Sequence, residues 1–72
     1  MDAKKTGNFI VKRRKAINMT QKELAEKLHI TDKAVSKWER GLSFPDISIL
    51  IPLSEVLNVS LYDLLTGGSN NG

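Results

Sequence analysis

Two helix-start signals within the stretch 19–41 constrain the fold of this chain more than any other feature. Thr20 and Glu23 form the T-x-x-E pattern of a capping box, which predicts a helix beginning directly after Thr20. Thr31 is a second residue of N-cap type, and it predicts another helix directly after itself. The segment therefore predicts two short helices joined by a tight turn.

The apolar residues of these two helices fall on one side of each. Leu24 and Leu28 share a face of the first helix at helical spacing, and Val35 and Trp38 lie three apart in the second. We therefore assign Trp38 to the core rather than to stacking on a ligand. The outer side of the second helix is left with Asp32, Lys33, Ser36 and Lys37.

A helix is also predicted before this pair. Thr6 is expected to be its N-cap, and it should run to about Asn18. Phe9 or Ile10, and then Ile17, should face the core. An alternative is that residues 4–17 form a basic amphipathic helix that lies on a membrane surface. That function requires the apolar face of the helix to be free, whereas the predicted domain buries it.

Two more helices are predicted after the pair. Asp46 should cap a helix to about Leu57, with Pro52 inside it as the weakest point of the assignment. Ser60 and Asp63 should begin the last helix. The prediction is an all-α bundle of five short helices, with residues 1–67 as one domain and 68–72 as a flexible tail or the start of a linker. The Gly/Asn run that begins at Gly67 is expected not to pack.

Composition narrows the possible environments and partners. The 72 residues contain no cysteine, so neither a disulfide framework nor a Cys-based zinc site is expected. No membrane-spanning or export segment is indicated, and the cytoplasm is the expected location. Residues 1–41 hold all 11 Lys and Arg and carry +6, whereas residues 42–72 carry −3. The basic half, which contains the helix pair, is expected to face a polyanion.

Four segments give the chain a family resemblance when taken together. They are T-Q-x-x-L-A-x-x-L, V-S-K-W-E-R-G, F-P-D-I-S-x-L-I-P-L and N-V-S-L-Y-D-L-L. In this order and spacing, over about residues 6–67, the chain resembles the helix-turn-helix domains of the phage Cro and repressor type, a group of bacterial and phage transcriptional regulators. Asn18, His29 and Asn58 stand where that family usually has glycine, and all three residue types tolerate a positive φ.

The resemblance implies a double-stranded DNA partner and assigns roles to individual residues. Asp32, Lys33, Ser36 and Lys37 match the positions that read base edges in the major groove. Lys33 and Lys37 would donate to guanine, although either could hold a phosphate instead, and Asp32 could equally serve the helix dipole. The phosphate contacts implied are Thr20, Gln21, Thr31, Arg40, Ser43 and Arg14. Arg14 and Glu39 match a pair that joins the first helix to the reading helix by a salt bridge.

The expected function is transcriptional regulation, most often repression in this family. A weak homodimer through the fourth and fifth helices should bind an inverted repeat. These helices hold more apolar residues than one small core needs, among them Ile51, Leu61 and Tyr62. Either some of them form the dimer surface, or most are core and only Tyr62 is left over. The alternative is an antitoxin-type module that also binds a protein partner, or a domain that lacks a C-terminal region. His29 has no second ligand at a useful spacing, so we predict no metal, no cofactor and no enzymatic activity.

Overall fold

The computed structural model describes residues 2–68, and within them the chain forms five α-helices and no strand. They are α1 (Ala3–Ala16), α2 (Gln21–Leu28), α3 (Asp32–Glu39), α4 (Ile47–Leu57) and α5 (Leu61–Thr66). This confirms the predicted all-α bundle. The side chains of Thr20, Thr31, Asp46 and Ser60 all accept a backbone N–H bond at the start of their helices, as predicted.

The first helix begins earlier than predicted. Asp2 is its N-cap, and the carboxylate accepts hydrogen bonds from the backbone N–H groups of Lys4 and Lys5. Thr6 instead is buried inside α1, where its Oγ1 donates to the carbonyl oxygen of Leu64 at 2.7 Å. The prediction of Thr6 as the cap is wrong because this hydroxyl joins α1 to α5 rather than closing a helix end.

The turns follow the predicted backbone geometry. Asn18, His29 and Asn58 have φ values of 56°, 57° and 59°, so all three are left-handed. His29 and Asn58 directly follow the last residues of α2 and α4, and the helices end there because the chain leaves the right-handed region. Pro52 lies inside α4 as predicted.

The hydrophobic core lies where the helices meet. Its buried apolar side chains are Ile10, Leu24, Ala25, Leu28, Val35, Trp38, Leu53, Leu57 and Leu64. Val35 and Trp38 confirm the predicted inner face of α3. Because Ile10 is fully buried, the apolar face of α1 is not available to a membrane surface. In the described part of the chain, no helix has the length and apolar character to cross a bilayer.

A glycine sets the distance between α1 and α3. A Cβ atom at Gly7 would lie 2.1 Å from the carbonyl oxygen of Trp38, which is far inside contact distance. The backbone of α1 therefore rests directly on the C-terminal turn of α3. This close approach positions α3 against α1 on the side of α3 that faces the core.

The chain remains packed beyond α5. Gly67 is the C-cap with φ 73°, and a Cβ atom at Gly68 would lie 2.4 Å from a ring carbon of Phe9. The interpretation of Gly67 and Gly68 as chain that does not pack is therefore wrong. The rest of the predicted tail, 69–72, lies outside the described residues.

Candidate nucleic-acid interface

The outer side of α3 presents the polar residues that the sequence placed there. Asp32, Lys33 and Lys37 are exposed, and Ser36 is half-buried. The opposite side of the same helix carries Val35, which is fully buried. One face of α3 therefore packs against the core, while the charged side chains of its opposite face are exposed to solvent.

The start of α2 contributes a second group of polar atoms. Thr20 Oγ1 accepts from the Glu23 N–H at 3.0 Å, and Glu23 Oε1 accepts from the Thr20 N–H at 2.8 Å. Hydrogen bonding from Thr20 to the Glu23 carboxylate, mainly from the backbone N–H and secondly from the side chain, lowers the pKa of that carboxyl. The capping box confirms the predicted helix start. Because first-turn N–H groups have no partner within the helix, those of Gln21 and Lys22 remain available to an anion.

A surface cleft brings the C-terminal end of α1, the start of α2 and the start of α3 together. Its lining residues are Arg14, Lys15, Asn18, Met19, Thr20, Gln21, Lys22 and Asp32. Three cations therefore share the cleft with one acid. Lys15, Asn18 and Lys22 were not singled out from the sequence as site residues, and only their place in its basic half pointed to them.

The predicted pair between α1 and α3 is present. Arg14 Nε donates to Glu39 Oε2 at 2.6 Å, and Arg14 Nη2 donates to Glu39 Oε1 at 3.0 Å. The two side chains are only 11% and 5% exposed. The hydrogen bond to Glu39 raises the pKa of Arg14. Burial of the guanidinium acts in the opposite direction, and the negative charge of Glu39 adds to the increase. The bidentate geometry fixes the rotation of α3 relative to α1.

Two further contacts extend this pair into a network. Arg14 Nη1 donates to the carbonyl oxygen of Met19 at 2.8 Å, and Gln21 Nε2 donates to Glu39 Oε1 at 2.8 Å. The Glu39 carboxylate of α3 is therefore bonded to both α1, through Arg14, and α2, through Gln21. The bond from Gln21 was not predicted, because the two residues lie 18 positions apart and no local pattern links them.

The remaining predicted site residues lie around the ends of α3. Thr31 caps its N-terminus, and its Oγ1 accepts from the Ala34 N–H at 3.3 Å. Arg40 is exposed at the C-cap, with Nε donating to the Ser36 carbonyl oxygen at 3.3 Å. Ser43 is exposed in the connection to α4. Among residues 2–68, no group of three or more His, Cys, Asp or Glu side chains could hold a metal ion.

Two short helices joined by a left-handed turn, with an exposed outer face on the second, define a helix-turn-helix domain. A family model described as "Helix-turn-helix" matches residues 10–64, and the chain belongs to this family. The match includes all of α2, α3 and α4.

Relatives and solved structures agree with this assignment. The chain is 40% identical over 50 residues to the HTH-type transcriptional activator BcrR of Enterococcus faecalis, covering 69% of this chain and 24% of BcrR. It superposes on the P22 c2 repressor in complex with a synthetic operator at a TM-score of 0.83 and 34% identity, covering 86% of this chain and 94% of that one. For the biofilm regulator SinR in complex with DNA, the TM-score is 0.76 and the identity 38%, covering 83% and 97%.

The curated relatives are longer proteins. The chain spans about a quarter of BcrR and 45% to 49% of three other HTH-type regulators. The similarity therefore describes one domain of proteins that have further parts.

Proposed function

We propose that the chain binds double-stranded DNA sequence-specifically, places α3 in the major groove, and acts as a transcriptional regulator. The observation that carries the proposal is that α3 exposes a polar face to solvent while its opposite, apolar face is packed against the core. The P22 c2 repressor and SinR, both solved with DNA, support it because they share this fold at more than 30% identity. A cytoplasmic location follows from this role.

Base recognition is assigned to the outer face of α3. Lys33 and Lys37 are exposed and one turn apart, so both can reach the same groove edge and donate to guanine O6 and N7. Asp32 would accept from cytosine N4, and Ser36 can pair with more than one base.

Phosphate contacts are assigned to the residues around this face. Thr20 and Gln21 lie at the N-terminus of α2, where amide N–H groups and the helix dipole favour an anion. Thr31, Arg40 and Ser43 lie at the two ends of α3 and would touch the backbone on either side of the groove.

Arg14 takes a different part in the same surface. All three of its guanidinium nitrogens donate within the protein, and only 11% of the side chain is exposed. Its main role is to orient α3, and a phosphate contact would use that small exposed part.

Regulation requires more specificity than one domain supplies. We infer that two copies of the domain contact each other through α4 and α5 and bind an inverted repeat together. Their α3 helices would then lie about 34 Å apart in successive major grooves. Repression by covering promoter DNA is the mode we propose for this chain; the relative BcrR is described as an activator.

The assignment of the two lysines is tested by alanine substitution and titration on a selected duplex. If Lys33 or Lys37 reads a base, its removal should cost about 1–3 kcal/mol and relax specificity at one position. If it holds a phosphate, all sequences should weaken alike and the salt slope should fall by about 1. Lys27→Ala is the control, because Lys27 is exposed in the last turn of α2, at the far end from Gln21. Equal losses for Lys33→Ala, Lys37→Ala and Lys27→Ala would contradict the assigned face.

A further inference from the structure

The first helix packs against α3 and also against α4 and α5. In the described part of the chain, α1 is the only helix that packs extensively against both α3 and α5. The neighbours of α5 are α1 and α4, whereas those of α3 are α1 and α2. A change in the position of α5 therefore reaches α3 most directly through α1.

Two side chains of α1 bind the backbone of α5 and α4. Thr6, which is only 2% exposed, donates from Oγ1 to the Leu64 carbonyl oxygen of α5 at 2.7 Å. The half-buried Arg13 donates from Nε and Nη2 to the Leu57 carbonyl oxygen at 3.3 and 3.0 Å. Because Leu57 is the last residue of α4, its carbonyl has no partner within that helix. The two side chains therefore join both helices to α1.

The residue that follows each of these side chains in the sequence contacts α3. Gly7 follows Thr6, and its backbone rests on the last turn of α3. Arg14 follows Arg13, and its guanidinium is bonded to Glu39 of α3. The two pairs lie close to two helical turns apart, so one stripe of α1 faces α3 and the neighbouring stripe faces α4 and α5. As a rigid helix, α1 fixes the position of one side of the domain relative to the other.

Arg13 belongs to the basic half of the chain, but its surroundings are those of an internal contact. Arg14 lines the cleft formed by the ends of α1, α2 and α3, whereas Arg13 lies in a separate depression beside α4 and α5. Glu55 and Asp63 line the same depression. Two acids beside the guanidinium do not favour a phosphate there. The bond to α4, rather than a polyanion, accounts for the position of this arginine.

The helices that are joined to α1 in this way expose apolar side chains. Ile47 and Ile51 of α4 are 83% and 59% exposed, and Leu61 and Tyr62 of α5 are 38% and 66% exposed. The interpretation that Tyr62 alone is left over from the core is therefore wrong. A contact that another molecule makes on α5 acts on that helix directly and reaches α3 through α1.

We propose that Thr6 and Arg13 are positioning residues for the reading of DNA. They set the position of α1 by joining it to α5 and α4, and α1 in turn sets the position of α3 through Gly7 and Arg14. Neither Thr6 nor Arg13 touches DNA. The inference rests on the proposed DNA-binding function, and it extends the network around Glu39 to the helices that lie on the other side of α1.

Substitutions of Arg13 separate positioning from phosphate contact. Arg13→Lys keeps the charge but loses the pair of donors to the Leu57 carbonyl, so it should weaken binding of the selected duplex by about 2–30-fold. Arg13→Gln should weaken it similarly and keep the wild-type salt slope. Lys12→Gln is the matched control for the lost charge, because Lys12 is the exposed neighbour on α1. Wild-type affinity in Arg13→Lys, or a salt slope reduced by about 1 in Arg13→Gln but not in Lys12→Gln, would overturn the assignment of Arg13.

Substitutions of Thr6 test the bond to α5. Thr6→Val removes the hydroxyl at nearly the same size and should weaken duplex binding by about 2–30-fold, whereas Thr6→Ser keeps the donor and should restore most of the affinity. Thr66→Val is the control, because the Thr66 hydroxyl donates only to carbonyl oxygens of its own helix, those of Tyr62 and Asp63. Each titration is made at a temperature where circular dichroism shows the variant to be fully folded.

The single tryptophan gives a measurement that does not require DNA. Trp38 of α3 is 5% exposed, and its fluorescence should become more accessible to acrylamide in Thr6→Val but not in Thr66→Val. A lower Tm for Thr6→Val with unchanged affinity and unchanged quenching would show that the bond only stabilises the fold, and it would overturn the proposal. If the wild type binds no duplex at all, the proposed function fails, and the quenching still decides whether α5 is coupled to α3.

Discussion

Replacing Glu39 with glutamine tests the network that holds α3 in place. The carboxylate accepts three hydrogen bonds, two from Arg14 and one from Gln21, at 2.6 to 3.0 Å. Glutamine keeps the size of the side chain but removes the charge and one acceptor oxygen. At least one of the three donors then loses its partner, and the Arg14 guanidinium keeps its charge in a site where 11% of the side chain is exposed.

The expected loss follows from the burial of the pair. A hydrogen bond to a charged group contributes about 1.5–3 kcal/mol, and removing one partner of a buried pair costs roughly 3–5 kcal/mol. Because the remaining amide oxygen of glutamine can still accept two of the three bonds, we expect Glu39→Gln to lower the free energy of unfolding by about 2–3 kcal/mol. For a domain of this size, each kcal/mol corresponds to roughly 4–8 °C in Tm, so the melting temperature should fall by ~8–24 °C.

Thermal unfolding followed by circular dichroism measures this loss directly. Glu26→Gln is the control, because Glu26 is an exposed acid of α2 that makes no side-chain hydrogen bond among the described residues. Affinity for the selected duplex should also fall in Glu39→Gln, because α3 is no longer fixed to α1 and α2. A Tm for Glu39→Gln equal to that of Glu26→Gln would refute the argument that the Arg14–Glu39 pair stabilises the packing of α3 against α1.

Three further changes have expected outcomes that thermal unfolding can check. Gly7→Ala should destabilise the domain by about 1–3 kcal/mol despite the better helix propensity of alanine, because the new Cβ would meet the Trp38 carbonyl oxygen; a higher Tm would contradict the close approach. His29→Gly should raise the free energy of unfolding by about 0.5–1 kcal/mol, since φ is 57° there, and a clear loss would contradict the turn. The Ser48 hydroxyl and then its N–H hold the pKa of Asp46 below its usual value of 3.8, so the stability this provides is complete above that pH and is lost as the pH falls through the lowered pKa. The Tm of Asp46→Asn should therefore fall less than that of the wild type between about pH 5 and pH 2.

The local signals in the sequence predicted most of the fold. A cap acts on N–H groups two or three residues away, so Thr20, Thr31 and Ser60 could be recognised from the sequence nearby. The turn at His29 was predicted because the residue types that tolerate positive φ are few. Thr6 misled the same reasoning, because an N-cap residue type can also satisfy a carbonyl 58 positions away, which only the packed structure shows.

The candidate site was predicted in part for the same reason. The outer face of α3 follows from helical period, whereas the Arg14–Glu39 pair came from the family resemblance rather than from spacing. The bond between Gln21 and Glu39 depends on how two helices cross, which no local pattern encodes. The exposure of Ile47 could not be predicted either, since an apolar residue in a short helix is equally compatible with a place in the core. Ile51 was named only as one of several apolar residues in excess of the core, and the sequence did not decide which of them is exposed.

Selection from a pool of randomised DNA duplexes, followed by titration of the selected duplex at several salt concentrations, tests the central claim most directly. We predict enrichment of an inverted repeat with half-site centres about one helical turn apart, and an affinity that falls steeply as salt rises. Binding without an enriched sequence would contradict base reading by α3, and the absence of binding to any duplex would contradict the proposed function as a whole.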